Sequence, residues 1–208
     1  MTIVVDYGMG NVGSILNMFR RIGCDAAASS DAQRIASADR LVLPGVGAFD
    51  HAMRRLRSLG LVDPLCQKAL VERVPVLGIC LGLQLFTRRS EEGDAPGLGW
   101  IAAETKRFAF PLGLPRLQVP HMGWNFVRPR QGDTLFAGTT VPYPRFYFVH
   151  SYHVVCECCD DISAWCTYGY DFACAVHRGN IMGVQFHPEK SHRFGLELLR
   201  NFARPPQQ

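Results

Sequence analysis
Three short apolar runs, each ending in a glycine-bearing turn and each leading toward helical spacing, constrain this chain more than any other feature. They are "TIVVDYG" from residue 2, "RLVLPGVGAF" from residue 40 and "PVLGICLGLQ" from residue 75. After the first, "VGSILNMFRRIG" has apolar residues at helical spacing, with Gly23 closing it; after the second, "DHAMRRLRSLG" has the same character. Apolar strands alternating with helices predict an α/β fold with a central, mostly parallel sheet flanked by helices. The third run predicts a strand, a sharp turn and then a helix. From about residue 99 the texture is β-rich, as in "GLGWIAAETKRF", "RFYFVHSYHVV" and "FACAVHRGNIMGVQFHPE". Additional β-structure is therefore expected in the C-terminal half, closed by a helix, "SHRFGLELLRNFA", that packs through Phe194, Leu198 and Phe202. With 208 residues, no linker and no repeat, the expectation is one domain over residues 1–203 and a loose tail, "RPPQQ", over 204–208.

Composition narrows the function. Nearly half of the residues are hydrophobic and under a fifth are charged, the balance of a globular chain. No run reaches ~18 uninterrupted apolar residues, so no membrane span is expected. "MTIVVDYG" lacks the basic start and long apolar stretch of an export signal, which points to a cytoplasmic protein. A net charge of +4 with scattered arginine pairs lacks the clustering that nucleic acid binding needs. Eight cysteines in such a chain do not predict disulfides. The group Cys156, Cys158, Cys159, Cys166 and Cys174 is not spaced for zinc, and Cys156 and Cys158 are expected on one face of a strand as small hydrophobes. No metal and no cofactor is expected. Residues 8–13, "GMGNVG", spell the glycine pattern of a dinucleotide-binding turn, but that motif wants a clear second strand ending in an acidic residue. Asp31 has the right distance, yet "CDAAASSD" reads as a poor strand, so a nicotinamide cofactor is not expected.

Chemistry enters at "VLGICLGLQ". Cys80 stands between Gly78 and Gly82 where a strand hands over to a helix, the cysteine counterpart of a nucleophile elbow. Small residues two positions either side let the strained turn close. The helix start favours a thiolate, and the N–H of Leu81 points toward an oxyanion at the attacked carbon. A base must come from elsewhere, and "GVQFHPEKS" supplies it: His187 at the end of an apolar strand, a proline to fix the turn, and Glu189 to orient the imidazole.

"PGVGAF", "GICLGLQL" and "HPEKS", together with "GLGW", "PHMGWN" and "FVHSY", resemble the class I (triad) glutamine amidotransferases over residues 3–203. Order and spacing are most similar to the HisH branch, the glutaminase subunits of imidazole glycerol phosphate synthase. The resemblance implies a single-domain class I glutamine amidotransferase fold and a Cys80–His187–Glu189 triad that hydrolyses L-glutamine to glutamate and ammonia. It implies an oxyanion loop at Gly45, Val46 and Gly47 beside Leu81, where a peptide flip supplies the second donor. It also implies substrate contacts from Gln84, Glu92, His150, Ser151 and Tyr152. Asn11, Ser14, Trp124, Tyr147 and Lys190 match positions at an interface with a HisF-type (βα)8-barrel cyclase. In such a heterodimer the cyclase takes the ammonia to make imidazole glycerol phosphate and AICAR in histidine biosynthesis, and Lys190 is expected to salt-bridge across it. Phe126 departs from the family, which often has an acidic residue there. Related paralogues instead feed a sugar amidotransferase in surface-polysaccharide biosynthesis. Hydrolysis of another amide or a peptide, and a catalytically silent scaffolding subunit, are the other readings.

Overall fold
The computed structural model describes residues 1–110 and 117–204, so most of the expected tail, residues 205–208, lies outside the described residues. The three apolar runs form β1 (Thr2–Val5), β3 (Arg40–Gly45) and β4 (Val76–Cys80). These strands are parallel, and with β2 (Ala26–Ser29) at one side and β12 (Ile181–Val184) at the other they order as β2-β1-β3-β4-β12. Burial on both faces explains the unbroken apolar runs. Ile3, Leu41, Leu43 and Val76 face a core covered by α3 (Phe49–Ser58) and α4 (Val62–Cys66). Val4, Val42, Leu77 and Ile79 face a second core with α1 (Val12–Arg21) and α6 (His192–Ala203), into which Ile15, Phe19, Leu198 and Phe202 project.

Beyond β12 the sheet turns antiparallel through β11 (Tyr170–Arg178), β10 (Ile162–Tyr168) and the short β7 (Arg128–Pro129). Off β11 branch β9 (Tyr152–Cys156) and then β5 (Ala103–Arg107). A separate antiparallel ribbon of β6 (His121–Phe126) and β8 (Arg145–His150) lies over the second core through Phe146 and Phe148.

Three sequence expectations need correction. The alanine-rich stretch after Cys24 is a strand after all: β2 pairs with β1 from Thr2–Ala26 to Val5–Ser29, so sheet pairing overrides weak intrinsic preference. Just after β2, the Asp31 side chain caps α2 (Ala32–Ala36) by accepting the N–H of Arg34. The helix after Cys80, α5, is a single turn, Leu81–Gln84. It stops because the carbonyls of Leu85, Phe86 and Thr87 accept from the N–H groups of Leu98, Ile101 and Gly99. Finally, Cys158 and Cys159 are exposed in a turn after β9, and only Cys166 and Cys174 are fully buried in strands of the second core.

Candidate active site
Three loops leave the carboxyl edge of the parallel strands side by side, where open α/β sheets hold their ligands. β3 and β4 end with Gly45 and Cys80 in register. On the other side of β4, β12 runs on through Gln185 and Phe186 to His187.

Cys80 has φ +55° and ψ −110°, a backbone state that costs a non-glycine residue about 1–3 kcal/mol. Its neighbours make the elbow possible by lacking a side chain. A Cβ on Gly82 would lie 1.8 Å from the carbonyl oxygen of Leu43, and one on Gly78 would lie 2.6 Å from the Phe86 ring. The sulfur lies 4.0 Å from the carbonyl of Val149 and 3.6 Å from Nε2 of Gln185.

His187 and Glu189 each have side chains only 2% exposed, with Nδ1 2.8 Å from Oε1. A carboxylate at that distance accepts the Nδ1 proton, so the neutral ring leaves Nε2 as the free base. Nε2 is buried and has no hydrogen-bond partner. Burial disfavours the imidazolium, but the negative charges of an ionised Cys80 and of Glu189, with the Glu189 hydrogen bond, outweigh it, raising the His187 pKa well above its ordinary value. The ring is thus built to receive the thiol proton.

Cys80 and His187 share one cavity of about 330 Å³ with Val46, Gly47, Leu81, Gln84, Glu92, His150, Ser151 and Tyr152. Glu189 stands behind His187, and Gly45 is buried beneath the loop, where a Cβ would meet the backbone nitrogen of Gly82 at 2.8 Å. Gly47 has φ +103°, a state glycine adopts without strain.

Partners qualify several candidates. One carboxylate oxygen of Glu92 accepts the Phe49 N–H and caps α3. Both nitrogens of His150 are engaged, Nδ1 with the Tyr152 carbonyl and Nε2 with Nδ1 of His121. Burial above all holds its pKa well below the usual range, so it lines the cavity as a neutral wall. The amide nitrogen of Gln84 donates to the Tyr152 carbonyl and to Oε1 of Gln185.

The remaining candidates lie outside the cavity. Asn11 caps α1 by accepting the N–H of Ser14. Trp124, 44% exposed on β6, stacks on His192 and meets Tyr147 edge-on, while Nζ of Lys190 sits 5.5 Å from the Tyr147 ring centre.

Sequence reasoning passed over three residues. Ser191 accepts the Tyr147 N–H and donates to the His187 carbonyl, fixing the His-Pro-Glu turn to β8. Tyr7 donates to the carbonyl of Pro44, just before the Gly45–Gly47 loop. Gln185 is fully buried; a polar residue between Val184 and Phe186 was the available signal.

Among the described residues no cluster of His, Cys, Asp or Glu is arranged for a metal ion, and no helix is long and apolar enough to cross a membrane.

Known proteins resemble this chain over nearly its whole length. The family model for class-I glutamine amidotransferases matches residues 3–205. The chain is 50% identical to imidazole glycerol phosphate synthase subunit HisH 2 of Pseudomonas aeruginosa, covering 98% of each chain. It is 48% identical to HisH 2 of Methanococcus maripaludis, covering 98% of this chain and 99% of that one. Among solved structures, PurLQS from Thermotoga maritima superposes with a TM-score of 0.69 at 15% identity, over 97% of this chain and 96% of that one. That last likeness concerns the fold.

Proposed function
The chain belongs to the class I glutamine amidotransferases, and from that premise we propose that it is the glutaminase subunit of an imidazole glycerol phosphate synthase. The observation that carries this reading is a strained cysteine sharing one cavity with an imidazole whose Nε2 is free and whose Nδ1 is held by a carboxylate. Full-length identity to HisH subunits supplies the reaction.

In this reading the carboxamide of L-glutamine lies beside Sγ of Cys80. His187 takes the thiol proton at Nε2, and the sulfur attacks the amide carbon. The tetrahedral oxyanion receives the N–H of Leu81 and a donor from the Gly45–Gly47 loop, presented by a peptide flip. The C–N bond breaks as His187 returns its proton to the leaving nitrogen, releasing ammonia. Water, deprotonated by the same ring, then opens the thioester to glutamate, and Glu189 stabilises the imidazolium at each stage. Glu92 holds the substrate ammonium with the carboxylate oxygen that Phe49 leaves free, while Ser151 and the carbonyl oxygen of Gln84 complete the amino-acid end. His150 contributes shape.

The ammonia passes to a HisF-type (βα)8 cyclase in a cytoplasmic heterodimer, docked through Asn11, Ser14, Trp124, Tyr147 and Lys190. The names of the relatives favour this acceptor over a sugar amidotransferase. The test is glutamate release in the presence of a HisF-type subunit and its acceptor. Cys80→Ala is expected to reduce it to background while leaving the complex intact; ordinary turnover in that variant would remove the nucleophile from the account.

A further inference from the structure
Gln185 ends a chain of hydrogen bonds whose polarity has only one self-consistent assignment. It starts at Tyr152, whose carbonyl can only accept. His150 Nδ1 lies 2.8 Å from that oxygen and must donate, so His150 Nε2 of the neutral ring is an acceptor. His121 Nδ1, 3.0 Å away, therefore carries the proton, and His121 Nε2 accepts from the Asn125 amide. Burial keeps both rings neutral, pulling the His121 pKa down to about 4 and holding that of His150 well below its ordinary value.

The same carbonyl fixes the amides on its other side. Gln84 Nε2 lies 3.0 Å from Tyr152 O, so that end of the amide is nitrogen. Its second proton goes to Gln185 at 3.0 Å, which requires oxygen there. Gln185 must then turn its NH₂ group toward the sulfur of Cys80, 3.6 Å away. Its backbone is pinned by donation to the Cys174 carbonyl at 2.8 Å, and none of its side chain reaches solvent. In this state the thiol hydrogen is aimed at the Val149 carbonyl, which lies 4.0 Å from the sulfur. When that proton leaves for His187, the Val149 contact loses its hydrogen, while the Gln185 donor stays aimed at the newly charged sulfur.

We propose that Gln185 is a positioning residue for the nucleophile: a fixed amide donor, oriented by Gln84 and the Tyr152 carbonyl, that stabilises the Cys80 thiolate and sets its direction of attack. This rests on Cys80 being the nucleophile of the glutaminase reading. A hydrogen bond to a charged acceptor is stronger than one to a neutral acceptor, so the contribution grows as the thiol ionises.

The test separates this role from structural packing. Gln185→Met keeps the volume and removes the donor; Gln185→Glu keeps the acceptor for Gln84 and replaces the donor with negative charge. Alkylation of Cys80 by iodoacetamide is followed across pH 5–10, alongside glutaminase kinetics in the complex. Both variants are expected to move the alkylation midpoint upward, Gln185→Glu further, and Gln185→Met to lower kcat about tenfold with little change in KM. An unchanged alkylation midpoint in both folded variants overturns the proposal. Because alkylation needs no glutamine, the two failures are told apart: a shifted midpoint in a protein that never releases glutamate sinks the glutaminase reading, and what survives is the amide donor to the sulfur, without its role in attack. If neither variant folds, the parent decides: one Gln185 side-chain amide proton resonance must follow ionisation of Cys80 and lose that dependence in Cys80→Ser. A resonance indifferent to Cys80 overturns the role.

Discussion
At the scale of single residues, the elbow and the triad place sharp demands on substitution. Gly82→Ala would push a methyl to 1.8 Å from the Leu43 carbonyl, so the strand or the elbow must shift. We expect a loss of about 3 kcal/mol or more in urea unfolding. Gly13, inside α1 with nothing within 4 Å of its missing Cβ, is the opposite case. Gly13→Ala should be neutral or stabilise by about 0.5 kcal/mol. That contrast separates glycines required by close packing from those a motif merely happens to contain. Glu189→Gln tests the imidazole. An amide nitrogen facing Nδ1 would force the ring proton onto Nε2, where it blocks the base. A fall in kcat of about 10²–10⁴-fold with a modest change in KM is expected from steady-state kinetics.

At the scale of elements, the β-rich half carries a buried imidazole cluster whose cost depends on pH. His121, His150 and His153, from β6, β8 and β9, surround Phe108, and burial depresses all three pKa values. The unfolded chain binds protons at these sites near pH 6.5, but the folded chain does not. Stability is therefore fully present above that value and falls as pH drops toward 4, by up to about 1.4 kcal/mol per unit for each histidine. His177 works in the opposite sense. Hydrogen bonding to Asp133 outweighs burial and raises its pKa, so its contribution is present below pH 6.5 and disappears as pH rises through the folded value. With three histidines against two, since the raised pKa of His187 acts in the same sense as that of His177, the denaturation midpoint should still fall between pH 7 and pH 5; a midpoint that stays level or rises would contradict this account of the cluster.

The elements also mark how far the sequence could be read. β1, β3, β4 and the helices α1, α3 and α6 follow from periodicity and glycine punctuation, because their burial pattern is written into adjacent residues. β2 was not legible, since three alanines acquire strand structure only from β1 beside them. The length of α5 was not legible either, since the N–H groups that end it come from residues 98 to 101. For the site, Cys80, His187 and Glu189 stood out through local motifs. The partners that consume one oxygen of Glu92 and both nitrogens of His150 could not be read from any window of the chain.

At the scale of the whole molecule, Met122, Trp124 and Phe126 alternate along the outer face of β6 and are 62%, 44% and 57% exposed. Such a stripe is unusual on a surface that has no partner. Trp124 and Tyr147 lie beside the His-Pro-Glu turn, and Lys190 belongs to that turn. Lys190 makes no ion pair among the described residues; its ammonium rests over the Tyr147 ring. In the proposed heterodimer it pairs with an acidic residue of the cyclase. Lys190→Glu should weaken that complex at least about tenfold by titration calorimetry, with the melting temperature of the isolated chain changed little. Equal affinity would remove Lys190 from the interface.

The layered α/β architecture, the elbow at Cys80 and the His-Pro-Glu turn are already written in the order of the residues. Hydrophobic periodicity and the sterics of a missing Cβ act between near neighbours and leave their mark in the local order of residues. Which ring nitrogen is free, which carboxylate oxygen is already taken and which amide faces the thiol emerge only in the folded chain. Those assignments rest on hydrogen bonds between groups as far apart in the chain as Cys80 and Gln185, separated by 105 positions. A donor and an acceptor that distant are matched only when the sheet brings their strands together.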